Sequence, residues 1–227
     1  MAHSLADLGA TIQESPKKLY ELLLSGIVPR PVAFVSTISE DGITNIAPFR
    51  HVHVSSNPPV ISVSIIRPPP GHGAKDTLRN ILATKGFTVN IVSEPWVVHA
   101  DAASIDAPED VSEWPLSGLT QVPSIHVQAP RVKESAFSLE LELLQTIDIH
   151  DPTTSTATTT LVLGSVKYIH IRNDVLNART GTVDPAKLRP VARLGGTLYA
   201  RVNEGYYVER GAWAEDGVRI RELGLGA

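Results

Sequence analysis

The stretch PVAFVSTISEDGITNIAPF, residues 31–49, constrains the fold more than any other part of the chain. Residues 31–38 are mostly β-branched, aromatic or small, a composition that suits a pleated, half-buried surface. Asp41-Gly42 follows, a pair that favours a tight reversal because glycine reaches positive φ without steric cost. ITNIAPFRHVHV is a second such run, and after the turn SSNPP a third, PVISVSII, ends at Ile66. Three or four antiparallel strands with tight connections are therefore predicted over residues 31–66. There is no room among them for the crossover of roughly a dozen residues that a parallel pair requires.

The rest of the chain adds strands faster than helices. SPKKLYELLLSG predicts a helix, with Ser15 as cap, Pro16 in the first turn and Gly26 at the exit. KDTLRNILATKG (75–86) predicts another, with Leu78, Ile81 and Leu82 on one face and Gly86 as the stop. FTVNIVS (87–93) reads as a buried strand. FSLELELLQTIDI (137–149) alternates, which places Phe137, Leu139, Leu141 and Leu143 opposite Ser138, Glu140 and Glu142, the two glutamates being expected at the surface. TLVLGSVKYIHI (160–171) alternates too. Residues 94–130 are irregular, with a helix expected near Pro95. Many strands in hairpin succession, with few helices between them, predict a mainly β fold with peripheral helices, a barrel or a sandwich. They exclude a doubly wound dinucleotide fold. No repeat or internal boundary divides the chain, so one domain is expected over 26–210, preceded by a helical extension (1–25) and followed by a tail (211–227).

Composition narrows the chemistry. Cysteine is absent from the 227 residues, which rules out disulfides, thiolate metal sites and cysteine nucleophiles. A net charge of −4 implies no strong attraction to nucleic acid or anionic membrane. The N-terminus lacks a basic head followed by an apolar core, and no apolar run approaches the roughly 20 residues of a membrane span. A cytoplasmic protein acting on a small molecule is the expectation.

Three short constellations could carry chemistry. In GHGAKDTLRN (71–80) a helix start brings unpaired amides and the positive end of its dipole together with Lys75, Thr77 and Asn80. That suits a phosphate, although the stretch is not a Walker loop, since Asp76 follows the lysine. Asp76 or Thr77 capping the helix is the simpler alternative. In RPVAFVST, Arg30 precedes a strand that Ser36 and Thr37 end, where hydroxyls meet an anion or satisfy a turn. In RHVHV, an unbroken strand would put His51 and His53 on one face and Arg50, Val52 and Val54 on the other. Two histidines do not make a metal site without a third ligand, and nothing in the spacing selects one from His72, His99, His126, His150, His170 or a carboxylate. No metal is therefore expected, and the segment reads better as the lining of a pocket or an interface.

In order along the chain, RPVAFVST, DGITNIAPF, SSNPPVISVSI, KDTLRNI, FTVNIV, RVKES and DPAKLRPVARLGGTLYA resemble the flavin reductase-like, FMN-binding split β-barrel family. The resemblance runs from about Gly26 to Arg201. It implies a six-stranded antiparallel Greek-key barrel, usually a homodimer, with one FMN per subunit near the dimer interface. By position, the family's phosphate cradle falls on Ser36, Thr37, Lys75, Asp76 and Thr77, with Asn80 supporting the loop. Ala47, Pro48 and Phe49 fall beside the isoalloxazine, and Gly195 and Gly196 let the backbone approach it. The pattern departs at Arg50, His51, Val52 and His53, where the family carries a small hydroxyl residue and then aromatics, in a segment one residue longer.

The implied activity is that of an FMN-dependent oxidoreductase, passing hydride from NADH or NADPH through the flavin to a small-molecule substrate, a partner oxygenase or O₂. Arg50, His51 and His53 are then the candidates for binding an acidic substrate or donating a proton. Two other readings fit the same residues: a barrel that holds FMN without reducing it, and a cofactor-free barrel with a reshaped pocket.

Overall fold

The computed structural model describes residues 16–55, 57–69, 73–105, 107–108, 111–210 and 221–223. The Ser15 cap, Gly71, the candidate ligand His72, the residues before 16 and most of the 211–227 tail lie outside the described residues. In chain order the main elements are α1 (Pro16–Gly26), β1 (Ala33–Ile38), β2 (Thr44–Phe49), β3 (Val52–Ser55), β4 (Val60–Ile66), α2 (Asp76–Thr84) and β5 (Gly86–Ile91). Then come α3 (Val97–Ala102), α4 (Trp114–Ser117), β6 (Phe137–His150), β7 (Ala157–Ile171), β8 (Val191–Gly195) and β9 (Leu198–Arg201).

One antiparallel sheet dominates, in the order β2-β1-β5-β6-β7-β4-β3. Its two edge strands, β2 and β3, are consecutive in the chain and separated only by Arg50 and His51. Two residues cannot cross an open sheet of this width, so the sheet must curl until its edges meet. Counted as one bent strand, β2 and β3 reduce the seven segments to six strands. Strands β1, β2/β3 and β4 are joined in succession, and β5 returns to lie beside β1, which is the Greek-key order. The result is a split barrel with peripheral helices.

The β1–β2 hairpin turns at Asp41-Gly42, where Gly42 has φ 86°. There the Ser39 hydroxyl accepts a hydrogen bond from the Ile43 amide at 3.0 Å. The barrel interior holds Val35, Val63, Phe87, Val89, Leu141 and Val162, with Leu78 and Ile81 supplied by α2. Each such side chain contributes roughly 1.5–3 kcal/mol by leaving water. Behind β1, Phe34 packs with Trp96, Ala100 and Trp114, so this strand is buried on both faces. Gly164 on β7 lets the Phe87 ring cross the interior: a Cβ there would stand 2.4 Å from Phe87 Cζ.

Three local expectations are corrected. The strand expected to run through RHVHV breaks at Arg50-His51, so the two histidines do not continue one alternation. The helix stop is Lys85, left-handed at φ 61°, and Gly86 instead opens β5 against Val127. Glu142 is exposed as expected, but Glu140 is completely buried. Strand alternation sets which face a side chain takes; it does not reveal that the loop at residues 125–127 covers that face. Ile125, His126 and Val127 donate their amides to the Glu140 carboxylate at 2.8, 2.6 and 3.2 Å; His170 Nε2 lies 2.6 Å from it and Arg131 Nε 4.0 Å.

Candidate active site

The Arg50-His51 bend decides where the molecule opens. Strand β3 pairs with β4 only from Val60 to Val63, and the contact ends with the Ser64 amide donating to the His51 carbonyl at 3.1 Å. Before the bend, β2 turns away with β1, so β2 and the far end of β4 diverge. A cavity of about 890 Å³ fills the gap, within the size range of small-molecule and cofactor sites. Ala47, Pro48 and Phe49 form one wall, Ser64 and Ile66 the other, and Ala103, Ser104, Ile105, Ala107, Pro108 and Glu113 complete the lining. Because β2 is an edge strand, it offers backbone groups to whatever fills the gap, and it tolerates Pro48, which no central strand would.

One end of the cavity is the entrance to α2. The N-cap residue Lys75 makes no side-chain capping bond, and Asp76 pairs with Arg79 at 2.6 Å. Neither residue caps through its side chain, and Thr77 is committed elsewhere. Its hydroxyl donates to Asn45 Oδ1 at 3.2 Å, while Asn45 Nδ2 donates to Glu113 at 2.8 Å. Behind them, Asn80 Nδ2 donates to the Thr37 hydroxyl at 3.1 Å. Burial, followed by the nearby Asp76 carboxylate, raises the Glu113 pKa despite its hydrogen bonds.

The other end is basic. Arg30 and Arg193 are paired residues of a short strand, Arg30–Pro31, and β8, and both line the cavity with Arg50 and His51. Arg193 lies over the Tyr199 ring, 4.3 Å from its centroid, and the Tyr199 hydroxyl donates to Asp101 at 2.9 Å. Burial, then Arg30 and Arg50, lowers the His51 pKa. Its Nε2 meets the Tyr20 hydroxyl at 3.4 Å.

Of the residues singled out in the sequence, Ala47, Pro48, Phe49, Arg50, His51, Lys75, Asp76, Thr77 and Gly196 line this one cavity. Ser36 and Thr37 are fully buried behind it, and Thr37 reaches it only through Asn45. Gly195 faces the Leu24–Ser25 backbone, and His53 is exposed on β3 away from the cavity lining. Among the described residues, no cluster of histidine and acidic side chains could hold a metal. Asn45, Glu113 and Arg193 were not singled out individually. The first two are joined by a contact far apart in sequence, and the third lies within RLGGTLY, where the glycines drew attention instead.

A family model described as a flavin reductase like domain matches residues 25–189. An uncharacterised protein of Aquifex aeolicus is 37% identical over 184 residues, which is 81% of this chain and 89% of that one. One from Halalkalibacterium halodurans is 36% identical over 86% of this chain and 92% of its own. Among solved structures, nitrilotriacetate monooxygenase component B from Bacillus cereus aligns with a TM-score of 0.84 at 30% identity, over 91% of this chain and 100% of that one. The 2-nitrobenzoate 2-nitroreductase NbaA of Pseudomonas fluorescens, at 24% identity, shares the fold with a TM-score of 0.76, over 93% of this chain and 98% of its own. With its split barrel and a family match across most of its length, the chain belongs to the flavin reductase-like domain family.

Proposed function

We propose that this protein binds FMN in the split of its barrel and acts as an FMN-dependent oxidoreductase on a small molecule. The observation that carries the reading is one of assembly. The β2 edge at Ala47–Phe49, the α2 entrance at Lys75–Thr77 and Gly196 come from three distant parts of the chain and line a single cavity.

The residues fit the cofactor. A helix start with its amides and a lysine suits its phosphate, with Asn45 and Asn80 holding Thr77 and Thr37 in place behind it. An edge strand with Phe49 beside it suits a flat ring that has polar atoms along its rim. Gly196, at φ 47°, allows the backbone to come close without a side chain in the way. When bound, FMN would supply two-electron chemistry, accepting hydride from NADH or NADPH and passing electrons to a substrate, a partner oxygenase or O₂. The protein's part is to orient the reactants and to exclude water, and Ala103, Ile105, Ala107 and Pro108 add apolar lining that suits the second task. We also infer a homodimer, supported by the exposed apolar residues Leu144, Ile147 and Ile149 on the outer half of β6; light scattering at a monomer mass would reject it.

The test is the visible spectrum of the purified protein, followed by anaerobic mixing with NADH or NADPH. Oxidised-flavin bands, an FMN mass released on denaturation, and bleaching by either nucleotide are expected. Persistent colour would mean binding without reduction, and colourless protein that takes up no added FMN would reject the cofactor altogether.

A further inference from the structure

One FMN brings one phosphate, yet the cavity has two ends that carry cations. Asn45 marks the α2 end and Phe49 borders the basic end, so they stand about 13 Å apart along β2 at ~3.3 Å per residue. If the phosphate sits at α2, three guanidinium groups at the other end share a single, loosely placed carboxylate, that of Asp101. Arg30 and Arg193 are only 7% and 5% exposed. Arg30 Nε, Arg50 Nε and Arg193 Nη1 are buried with no hydrogen-bond partner. The nearest carboxylate to Arg193, that of Asp101, is 3.8 Å away, too far for a hydrogen bond.

Buried charged groups of this kind are normally paired, because an unpaired one is expensive to keep from water. Here the groups are also held in place. Arg30 donates to the Leu24 carbonyl at 3.2 Å, and Arg193 is stacked on Tyr199. Held guanidinium groups with spare donors match the planar geometry of an oxyanion.

We infer that Arg30, Arg50 and Arg193 form the seat of the flavin's reaction partner, and that this partner carries an oxyanion, either the carboxylate of an organic acid or the diphosphate of the nicotinamide donor. This rests on the FMN reading above, since it is the cofactor that would occupy the α2 end. His51 adds a ring nitrogen beside the same position, its partner Tyr20 closing that side.

The experiment is calorimetric titration of the FMN-loaded protein with benzoate, with its neutral counterpart benzamide, and with inorganic pyrophosphate. Wild type should bind benzoate or pyrophosphate at least about tenfold tighter than benzamide, as charge-assisted bonds require. Arg50→Gln should erase that preference while FMN stays bound; Arg193→Gln should do the same, with its melting curve confirming a folded protein. Pyrophosphate displacing benzoate assigns the seat to the nicotinamide donor, whereas benzoate binding that pyrophosphate does not displace assigns it to an acidic substrate; either supports an oxyanion seat. No preference for either anion over benzamide overturns the inference. Release of FMN from Arg50→Gln overturns it too, because the arginines would then be holding the cofactor phosphate. Should wild type take up no FMN, the cofactor reading fails alone: the same titrations on the cofactor-free protein still uphold or reject the seat.

Discussion

Removing the charge of Glu140 tests how much of the barrel rests on one buried carboxylate. Its four hydrogen-bonding neighbours are three loop amides and His170 Nε2. Glu140→Gln keeps the shape but turns one oxygen into an NH₂ group. Whichever way the amide points, that group faces two former neighbours of the oxygen it replaces. Breaking a buried ionic group in this way costs about 3–5 kcal/mol. For a chain of this size that is a fall in melting temperature of roughly 6–20 °C, at about 2–4 °C per kcal/mol. The pH dependence is a second check. Burial alone would raise the Glu140 pKa, but the bonds from His170 and the loop amides outweigh it and hold the pKa below the ordinary glutamate value of 4.5. The folded state therefore binds this proton less readily than the unfolded chain does. Its stabilisation is present above about pH 4.5 and is lost as pH falls through the lower folded value. Thermal melts of wild type and Glu140→Gln across pH 3–8 should show a gap that is full at neutral pH and closes in acid. A gap under 2 °C at pH 7, or one that does not narrow at all toward the acid end, would refute the reasoning (2 °C being about the lower edge of a 1 kcal/mol effect).

Other expected outcomes follow from the same contacts. Gly164→Ala should destabilise by about 1–3 kcal/mol, the usual cost of overpacking, measured by urea unfolding; Phe87→Leu in the same chain should recover part of the loss, because the ring at 2.4 Å is the obstacle. Glu113→Gln should be at least as stable as wild type at pH 8, since burial raises this carboxyl's pKa and ionising it works against folding. That advantage should vanish below about pH 4.5, and a wild type more stable than the variant at pH 8 would contradict it. Lys75→Ala with Thr77→Val should weaken FMN binding about tenfold or more, as loss of a charge-assisted bond predicts, read by flavin fluorescence; unchanged affinity would move the phosphate away from α2.

The barrel was legible because its strands announce themselves locally: a β-branched run, Asp41-Gly42 and another run need nothing distant to be read. The limits of periodicity show at Glu140 and Glu142, which share one strand face. Only the first is covered, by a loop whose path local sequence does not encode. RHVHV failed for a related reason. Its alternation reads as a continuous strand, but the tertiary requirement to join two sheet edges bends it at Arg50-His51. The site was half legible. Lys75, Thr77 and Ala47–Phe49 belong to contiguous motifs, whereas Arg30 meets Arg193 only through the pairing of a two-residue strand with β8.

The bend at Arg50-His51 has a mechanical consequence. The backbone that closes the barrel also forms the wall met by a ligand, so pull on Arg50 is transmitted into the β3–β4 rungs. Occupancy of the basic end should therefore slow amide exchange at Ser64, whose proton is held by the His51 carbonyl. The same coupling restricts how such a pocket diversifies. One residue inserted there would slide Val52 off its place opposite Val63 and turn an inward face outward. A segment one residue longer at the bend therefore keeps the barrel closed only where a bulge absorbs the extra residue.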